Sequence, residues 1–299
     1  MTAIVVAANW DKFHVLLSPA NKFSHIPKII YCYNQIMNFK EIQFAGTPDK
    51  SYIPDDINLK LPENNKLPTD QLHFLLYIPW EEKYINFVPQ EFRNLFNKVL
   101  PYLHFRTTDV HTAISLGFLD EFIGKFPNTS INRTVVAVSL ILHDSGWSKM
   151  SEEEIADSLG VKGLVLTEKA VGPKEKHAAE SVKIAKEVLG SDDYGLKLTQ
   201  NEMDLIYNAV LFHDKPEMVT EASGSIPIEV KLLVDLDHFW SFTHENFWQD
   251  TIRKGVLPKM YLQNLSKDLD KYFVTDEGKK MAANLLAQRV EEVSELKNI

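Results

Sequence analysis

A mainly α-helical protein is what this chain predicts: a helical core with further C-terminal helices over residues 101–299, and a smaller N-terminal α+β or irregular region over residues 1–100. Three observations carry that expectation. Proline is concentrated early, with nine of the 14 at or before Pro101, where Gly46 is the one glycine. From about Phe92 onward apolar residues recur with helical period, behind capping sequences that satisfy the first backbone N–H groups of a helix. The run Val135 to Leu142 is almost continuously apolar, which suits a helix buried on every side.

Taken in order, Thr2 to Ala8 and Gln71 to Ile78 are apolar enough for strands, and Ala45 to Asp70 reads as a polar connection punctuated by proline. The region is either a subdomain that packs on the rest or an independent ligand-binding module. Thr108 to Phe126 is expected as one helix with Val110, His111, Phe118 and Phe122 in one sector. The helix Val135 to Leu142 closes on His143-Asp144, and Ser145-Gly146-Trp147 then breaks it, opening that end to a cavity. Ser151 and Glu154 form a capping box ahead of a short helix ending near Gly160. Pro173 suits a first turn and Gly190 a stop, bracketing Lys174 to Leu189. Thr199 and Glu202 make a second capping box before Met203, Ile206, Val210 and His213, which share a face. A further helix holds Leu233, Leu236 and Trp240. The aromatic stretch Phe239 to Trp248 either walls a pocket or packs in the core, and Met281 to Leu296 reads as an amphipathic cover or a subunit contact. The chain contains no internal repeat and no low-complexity tract.

Composition narrows the function classes. Across 299 residues, 44% apolar content suffices for a sizeable core. The formal charge of −9, with no basic tract, argues against duplex nucleic acid as a partner. A small phosphorylated molecule stays compatible, because bound metal supplies local positive charge. Cys32 is the sole cysteine, so an internal disulfide or a thiolate cluster within one chain is excluded. Met1 to Ala8 lacks the basic start of a signal peptide, and no apolar stretch approaches the length of a membrane span. The expectation is a soluble cytoplasmic protein without a membrane partner.

Within the helical part, His111, His143-Asp144, His177, His213 and Asp237 each fall at or beside an apolar helical face. An unpaired carboxylate in such a place costs several kcal/mol, so it is solvated, paired or given a metal. One histidine on an apolar face is ordinarily a hydrogen-bonded core residue; four, with an His-Asp doublet and a later Asp, make a metal constellation. Leu233 to His238 offers two acids. Helical phase puts Asp237 near the apolar sector and Asp235 away from it, so Asp237 is taken as the ligand and Asp235 as a supporting or surface group. The other histidines are assigned to structure, with His104, on the His111 face, as the first candidate exception. Arg106 and Lys149, five residues before His111 and five after Asp144, are either charge-assisted phosphate donors or solvated helix-end cations. Lys215 and Arg253 are weaker candidates, and Asp214 either orients His213 or caps its helix.

His111, His143-Asp144 and Asp237 resemble the H…HD…D signature of the HD superfamily of metal-dependent phosphohydrolases. His177, in Glu175-Lys176-His177-Ala178, and His213, in Ala209-Val210-Leu211-Phe212-His213, are similar to the two extra histidines of its dinuclear members. The resemblance covers about residues 100 to 245. His213-Asp214-Lys215-Pro216 departs from the cyclic-dinucleotide phosphodiesterase branch. Ser145-Gly146-Trp147-Ser148 departs from the alarmone and deoxynucleotide triphosphate hydrolases.

The resemblance implies a helical HD-domain bundle and two divalent transition ions (Fe, Mn, Zn or similar), with Asp144 bridging them as the catalytic carboxylate. His111, His143 and Asp237 complete one site, and His177 and His213 the other. The implied reaction is hydrolysis of a phosphate ester of a small molecule or nucleotide, by a hydroxide shared between the cations. Proteins of the same six-ligand order that use a mixed-valent di-iron pair to activate oxygen make a second class. A non-catalytic metal-binding sensor makes a third.

Overall fold

The structure, a computed structural model, describes residues 39–43, 50–54, 78, 80–159, 172–191, 193–221, 226–254 and 256–294. Its described part is predominantly α-helical. Two short strands, β1 (Phe39–Gln43) and β2 (Lys50–Pro54), pair antiparallel with Phe39 opposite Pro54 and Gln43 opposite Lys50. Strand β2 falls within Ala45 to Asp70, the stretch expected as a polar connection. Ser51-Tyr52-Ile53 suits a pleated ribbon once β1 supplies a partner, and Pro54 is tolerated because it stands at the strand end. The expected strand Thr2 to Ala8 lies outside the described residues, as does Gln71 to Ile78 except for Ile78, which is not in a strand.

The helical body starts before residue 101. Two 3-10 turns, Glu82–Phe87 and Gln90–Phe92, lead into α1 (Arg93–Leu103), which runs through the expected boundary. Leu95, Phe96, Val99 and Leu103 are buried in the same core as the later helices. Pro101 is accommodated in the last turn, where its missing N–H forfeits one bond. The expected helix Thr108 to Phe126 is two, α2 (Thr108–Gly117) and α3 (Leu119–Ile123). The break falls at Gly117, where a Cβ would stand 2.6 Å from the Phe87 ring. Phe122 N–H still bonds the Phe118 carbonyl at 2.9 Å, so the apolar sector continues across the break and periodicity does not reveal it.

Helix α4 (Arg133–Leu142) is the central element, with every residue from Val135 to Leu142 buried. Asn132 caps it by accepting from Val135 N–H. The two capping boxes form as read, Ser151 with Glu154 at α5 (Glu152–Ser158) and Thr199 with Glu202 at α7 (Gln200–Phe212). Pro173 opens α6 (Pro173–Leu189) and Gly190 closes it. The remaining helices are α8 (Pro216–Glu221), α9 (Ile228–Phe239), α10 (His244–Lys254), α11 (Pro258–Tyr272) and α12 (Asp276–Ser294), with a 3-10 turn at Trp240–Phe242. Helix α4 packs against α1, α2, α6, α7 and α9, so its C-terminal end lies among the helices that carry the candidate ligands.

Helix α12 is a cover within the chain, and a buried polar network holds it. Glu292 accepts from His244 Nδ1 at 3.0 Å and Trp248 Nε1 at 2.7 Å, while Arg289 pairs with Glu292 and donates to the Phe242 carbonyl. At its other end Asp235 accepts from Val274 N–H at 2.7 Å, Thr275 N–H at 3.2 Å and the Thr275 hydroxyl. Asp235 is therefore neither at the surface nor beside the candidate ligands. Helix α9 is buried on both sides, and Asp235 serves the face that receives α12. Burial pushes its carboxyl up to about 7, against the pull of those three donors. Among the described residues no helix is long and apolar enough to cross a membrane.

Candidate metal centre

The six residues predicted as ligands come from five separate helices or their ends, and the structure brings them together. His111 projects from α2; His143 and Asp144 follow α4; His177 lies in α6, His213 caps α7 and Asp237 lies in α9. Ligand atoms of His111, His143, Asp144 and Asp237 lie within 4.8 Å of one another, and so do those of Asp144, His177 and His213. Asp144 belongs to both sets. Its Oδ2 is 3.3 Å from His111 Nδ1 and 3.5 Å from His143 Nε2, while its Oδ1 is 3.3 Å from His177 Nε2 and 3.5 Å from His213 Nε2. Asp237 Oδ1 completes the first set at 3.0 Å from His111 Nε2 and 3.2 Å from His143 Nε2.

Hydrogen bonding tests whether these groups fit a cation. His143 Nδ1 donates to the Leu140 carbonyl at 2.7 Å and His213 Nδ1 to the Val210 carbonyl at 2.6 Å. A neutral ring so bonded carries only a lone pair on Nε2. The His143 lone pair then faces two carboxylates, and that of His213 faces His177 Nε2 at 3.1 Å and Asp144. Acceptors facing acceptors require a shared proton or a metal between them. His111 Nε2 and Asp144 Oδ2 are buried and make no well-directed hydrogen bond, despite their short distances to neighbours. Near-contacts off the hydrogen-bond axis are what donors aimed at a common centre produce. The imidazole and carboxylate atoms present thus fit a metal ion.

Electrostatics agrees. Burial alone would lower the His143 imidazole, but Asp144 and Asp237 reverse this and raise it to about 9. His111 is raised in the same way by the same two carboxylates. Burial would raise Asp144, yet His143 and the hydrogen-bonding histidines hold it well below the usual carboxylate range, and Asp237 is depressed likewise. His177 is lowered, chiefly by burial, which keeps its ring neutral. The site holds its carboxylates ionised and demands positive charge between them.

The backbone before α2 is strained. Arg106 and Thr107 are consecutive left-handed residues, φ 56° and 61°, at a cost of roughly 1–3 kcal/mol each. The loop aims Arg106 inward, its guanidinium 4.3 Å from the Trp147 ring centroid and 3.8 Å from Asp144 Oδ2. Lys149, by contrast, is exposed, lies over the Tyr102 ring and is not brought to the cavity. The 3-10 turn Ser145–Lys149 that breaks the helix also turns Lys149 outward. His104 pairs with Asp109 at 2.8 Å, outside the cluster. Lys215 lies over the Phe212 ring and does not line the cavity; the side chain of Arg253 lies outside the described residues.

Three further residues join the cluster: Trp147, with no role expected there, Trp240, from the aromatic stretch expected as a pocket wall or as core, and Asp214, expected to orient His213 or cap its helix. Trp147 stacks on the His177 ring at 4.2 Å and donates Nε1–H to Asp144 Oδ1 at 3.0 Å. Trp240 stacks on His111 at 5.2 Å. Asp214 joins His213 and Asp237 in a third potential ligand group. The available signal was their adjacency to the His-Asp doublet, His213 and Asp237. Gly146 permits the turn that carries Trp147: a Cβ there would be 2.0 Å from the His177 carbonyl oxygen. Compared with protein-family models, curated proteins and solved structures, the chain matches none.

Proposed function

We propose that the protein is a metal-dependent phosphohydrolase of the HD type, acting on a phosphate ester of a small molecule. The single observation that carries this reading is the division of Asp144, whose two oxygens face two different sets of imidazoles. One buried carboxylate joining two donor sets is what a pair of divalent cations needs, and the mixture of imidazole and carboxylate favours Fe, Mn or Zn over Ca or Mg. His111, His143, Asp144 and Asp237 would hold one ion, and Asp144, His177 and His213 the other. Such a pair supplies Lewis-acid charge to a phosphoryl group and makes water acidic near neutral pH.

The chain's own groups do the rest. Arg106 presents a guanidinium at the cavity face of the cluster, where it can take two phosphoryl oxygens as charge-assisted acceptors and fix the ester's orientation. Trp147, between that guanidinium and His177, holds Asp144 by its indole N–H and keeps the back of the site dry. Carbonyls of Leu140 and Val210 fix the tautomers of His143 and His213 so that Nε2 is the ligand atom.

The test is elemental analysis of protein purified without a metal-affinity tag, then phosphate release from a panel of phosphate esters with and without chelator. Two transition ions per chain and chelator-sensitive phosphate release support the reading. Oxygen uptake by reduced, iron-loaded protein without phosphate release assigns the site to C–H oxidation instead. Metal without turnover in either assay makes it a sensor.

A further inference from the structure

The cluster opens into a cavity of about 430 Å³, within the range of sites for small organic ligands. Arg106, His111, Asp144, Asp214 and Asp237 line one end. A second wall comes from α10 and α11, which carry none of the six ligand candidates, and His238, 3.8 Å from Asp237 and stacked on Tyr272, joins it to the metal end. On α11 the lining residues Tyr261, Asn264, Leu265, Asp268 and Tyr272 recur at helical spacing, and on α10 Asn246, Asp250 and Lys254 recur every fourth residue. Between them the two helices therefore turn amides, carboxylates, phenols and a lysine toward the cavity, which is open to solvent at Asn264.

Charge limits what this wall accepts. Lys254 is neutralised by Asp250 at 2.7 Å, and the Tyr261 hydroxyl also donates to Asp250. That leaves Asp268 as the acid of the wall without a lysine or arginine in direct ion pair among the described residues. At the metal end, among the described residues, Arg106 is the lysine or arginine that lines the cavity, with the His238 imidazole beside Asp237. A phosphoryl group at the metals is matched by Arg106; a second phosphate farther out would meet Asp250 and Asp268. The wall suits a neutral body instead. Hydroxyl groups donate to carboxylates and exchange bonds with the Asn264 amide and the tyrosine hydroxyls. Trp240, stacked on His111 at the junction of the two ends, supplies an apolar surface for ring or chain carbons.

We infer that the α10–α11 wall is a recognition subsite for an uncharged polyhydroxylated body, so that the substrate is the phosphomonoester of a sugar-sized or polyol-sized compound, with Asp268 and Asn264 as specificity residues. This inference rests on the hydrolase reading for the phosphoryl end only. A nucleoside triphosphate or a bisphosphate is disfavoured, because its further phosphates would meet Asp250 and Asp268.

The experiment has two arms. Metal-loaded enzyme is assayed with glycerol 3-phosphate, ribitol 5-phosphate and glucose 6-phosphate, against p-nitrophenyl phosphate, fructose 1,6-bisphosphate, ATP and phosphoethanolamine. Expected is kcat/KM at least tenfold higher for one of the first three than for any of the others. The ratio of that substrate to p-nitrophenyl phosphate should fall about tenfold in Asp268→Asn and in Asn264→Ala. Asn264 is exposed and Asp268 half-buried, and thermal melts verify that both variants fold. Preference for the bisphosphate, ATP or the amine-bearing ester, or an unchanged ratio in both variants, overturns the subsite while the hydrolase reading stands. The second arm is saturation-transfer NMR with unphosphorylated ribitol and glucose. If no ester is hydrolysed yet these bind the parent protein and not Asp268→Asn, the hydrolase reading fails and the subsite stands; if they do not bind and no ester is hydrolysed, both fail.

Discussion

Gly146→Ala is the sharpest perturbation the structure offers, because one methyl group would be placed against backbone that cannot rotate away. The new Cβ would lie 2.0 Å from the His177 carbonyl oxygen and 2.6 Å from the Ser181 nitrogen. Reaching the 3.4 Å of ordinary contact requires the Ser145–Lys149 turn and α6 to part by about 1.4 Å. That movement stretches the Gly146 N–H bond to the Ser181 hydroxyl, now 2.8 Å, and opens the stack of Trp147 on His177. Overpacking of this kind costs roughly 1–3 kcal/mol, and the lost hydrogen bond about 1 kcal/mol more, so a loss near 3 kcal/mol is expected. The functional loss should be larger in proportion. Metal sites tolerate about 0.2 Å in ligand position, and Asp144 and His177 lie on opposite sides of the widened seam. Urea titration followed by fluorescence reads the stability, and elemental analysis reads the metal. Gly172→Ala is the control, since its methyl meets nothing within 4 Å. An unchanged urea midpoint and full metal content in Gly146→Ala would refute the close approach, and with it the placement of Asp144 against His177.

Asp144→Ala should lose both metal ions and all phosphate release, because both donor sets share this residue; retention of one full equivalent of metal would break the bridging argument. Asp235→Asn should cost roughly 1–3 kcal/mol by setting an amide N–H against the donors of Val274 and Thr275. Its metal content should stay intact, whereas Asp237→Asn should lose metal; the two variants, two residues apart, are compared by melting and elemental analysis. Thr199→Ala removes a capping box and should destabilise by about 1 kcal/mol at pH 7. Hydrogen bonds from the Thr199 backbone and the Asn132 side chain hold Glu202 below its ordinary carboxylate value, so their contribution is present above that value and lost as pH falls through the depressed one. Both of those bonds survive in Thr199→Ala, and the cap bond from Glu202 N–H to the Thr199 hydroxyl involves no titrating group. The gap between the parent and variant urea midpoints should therefore narrow in acid only by the bond from the Thr199 hydroxyl to the Glu202 carboxylate and otherwise persist; a gap that closes fully there counts against the box.

What the chain states locally, it states well. Ser151 with Glu154 and Thr199 with Glu202 close hydrogen bonds over three residues, and Val135 to Leu142 has no polar face to expose. Histidines set on apolar stripes then mark positions aimed inward, and the structure gathers all six expected ligand residues around Asp144. These signals survive because each depends on neighbours within a turn or two. The rest was decided by contacts between distant segments. Only the crossing of the Ser145–Lys149 turn with α6 makes Gly146 indispensable and brings Trp147 onto His177. Only the docking of α12 gives Asp235 its partners and buries it, where phase on α9 alone had left it outward. A strand at Lys50–Pro54 exists because β1 lies beside it, and Lys149 points away because a 3-10 turn, not an α-helical one, follows Asp144. Periodicity specifies which side of a helix is buried; it carries no information on what that side meets, and the shape and charge of a cavity are properties of the meeting.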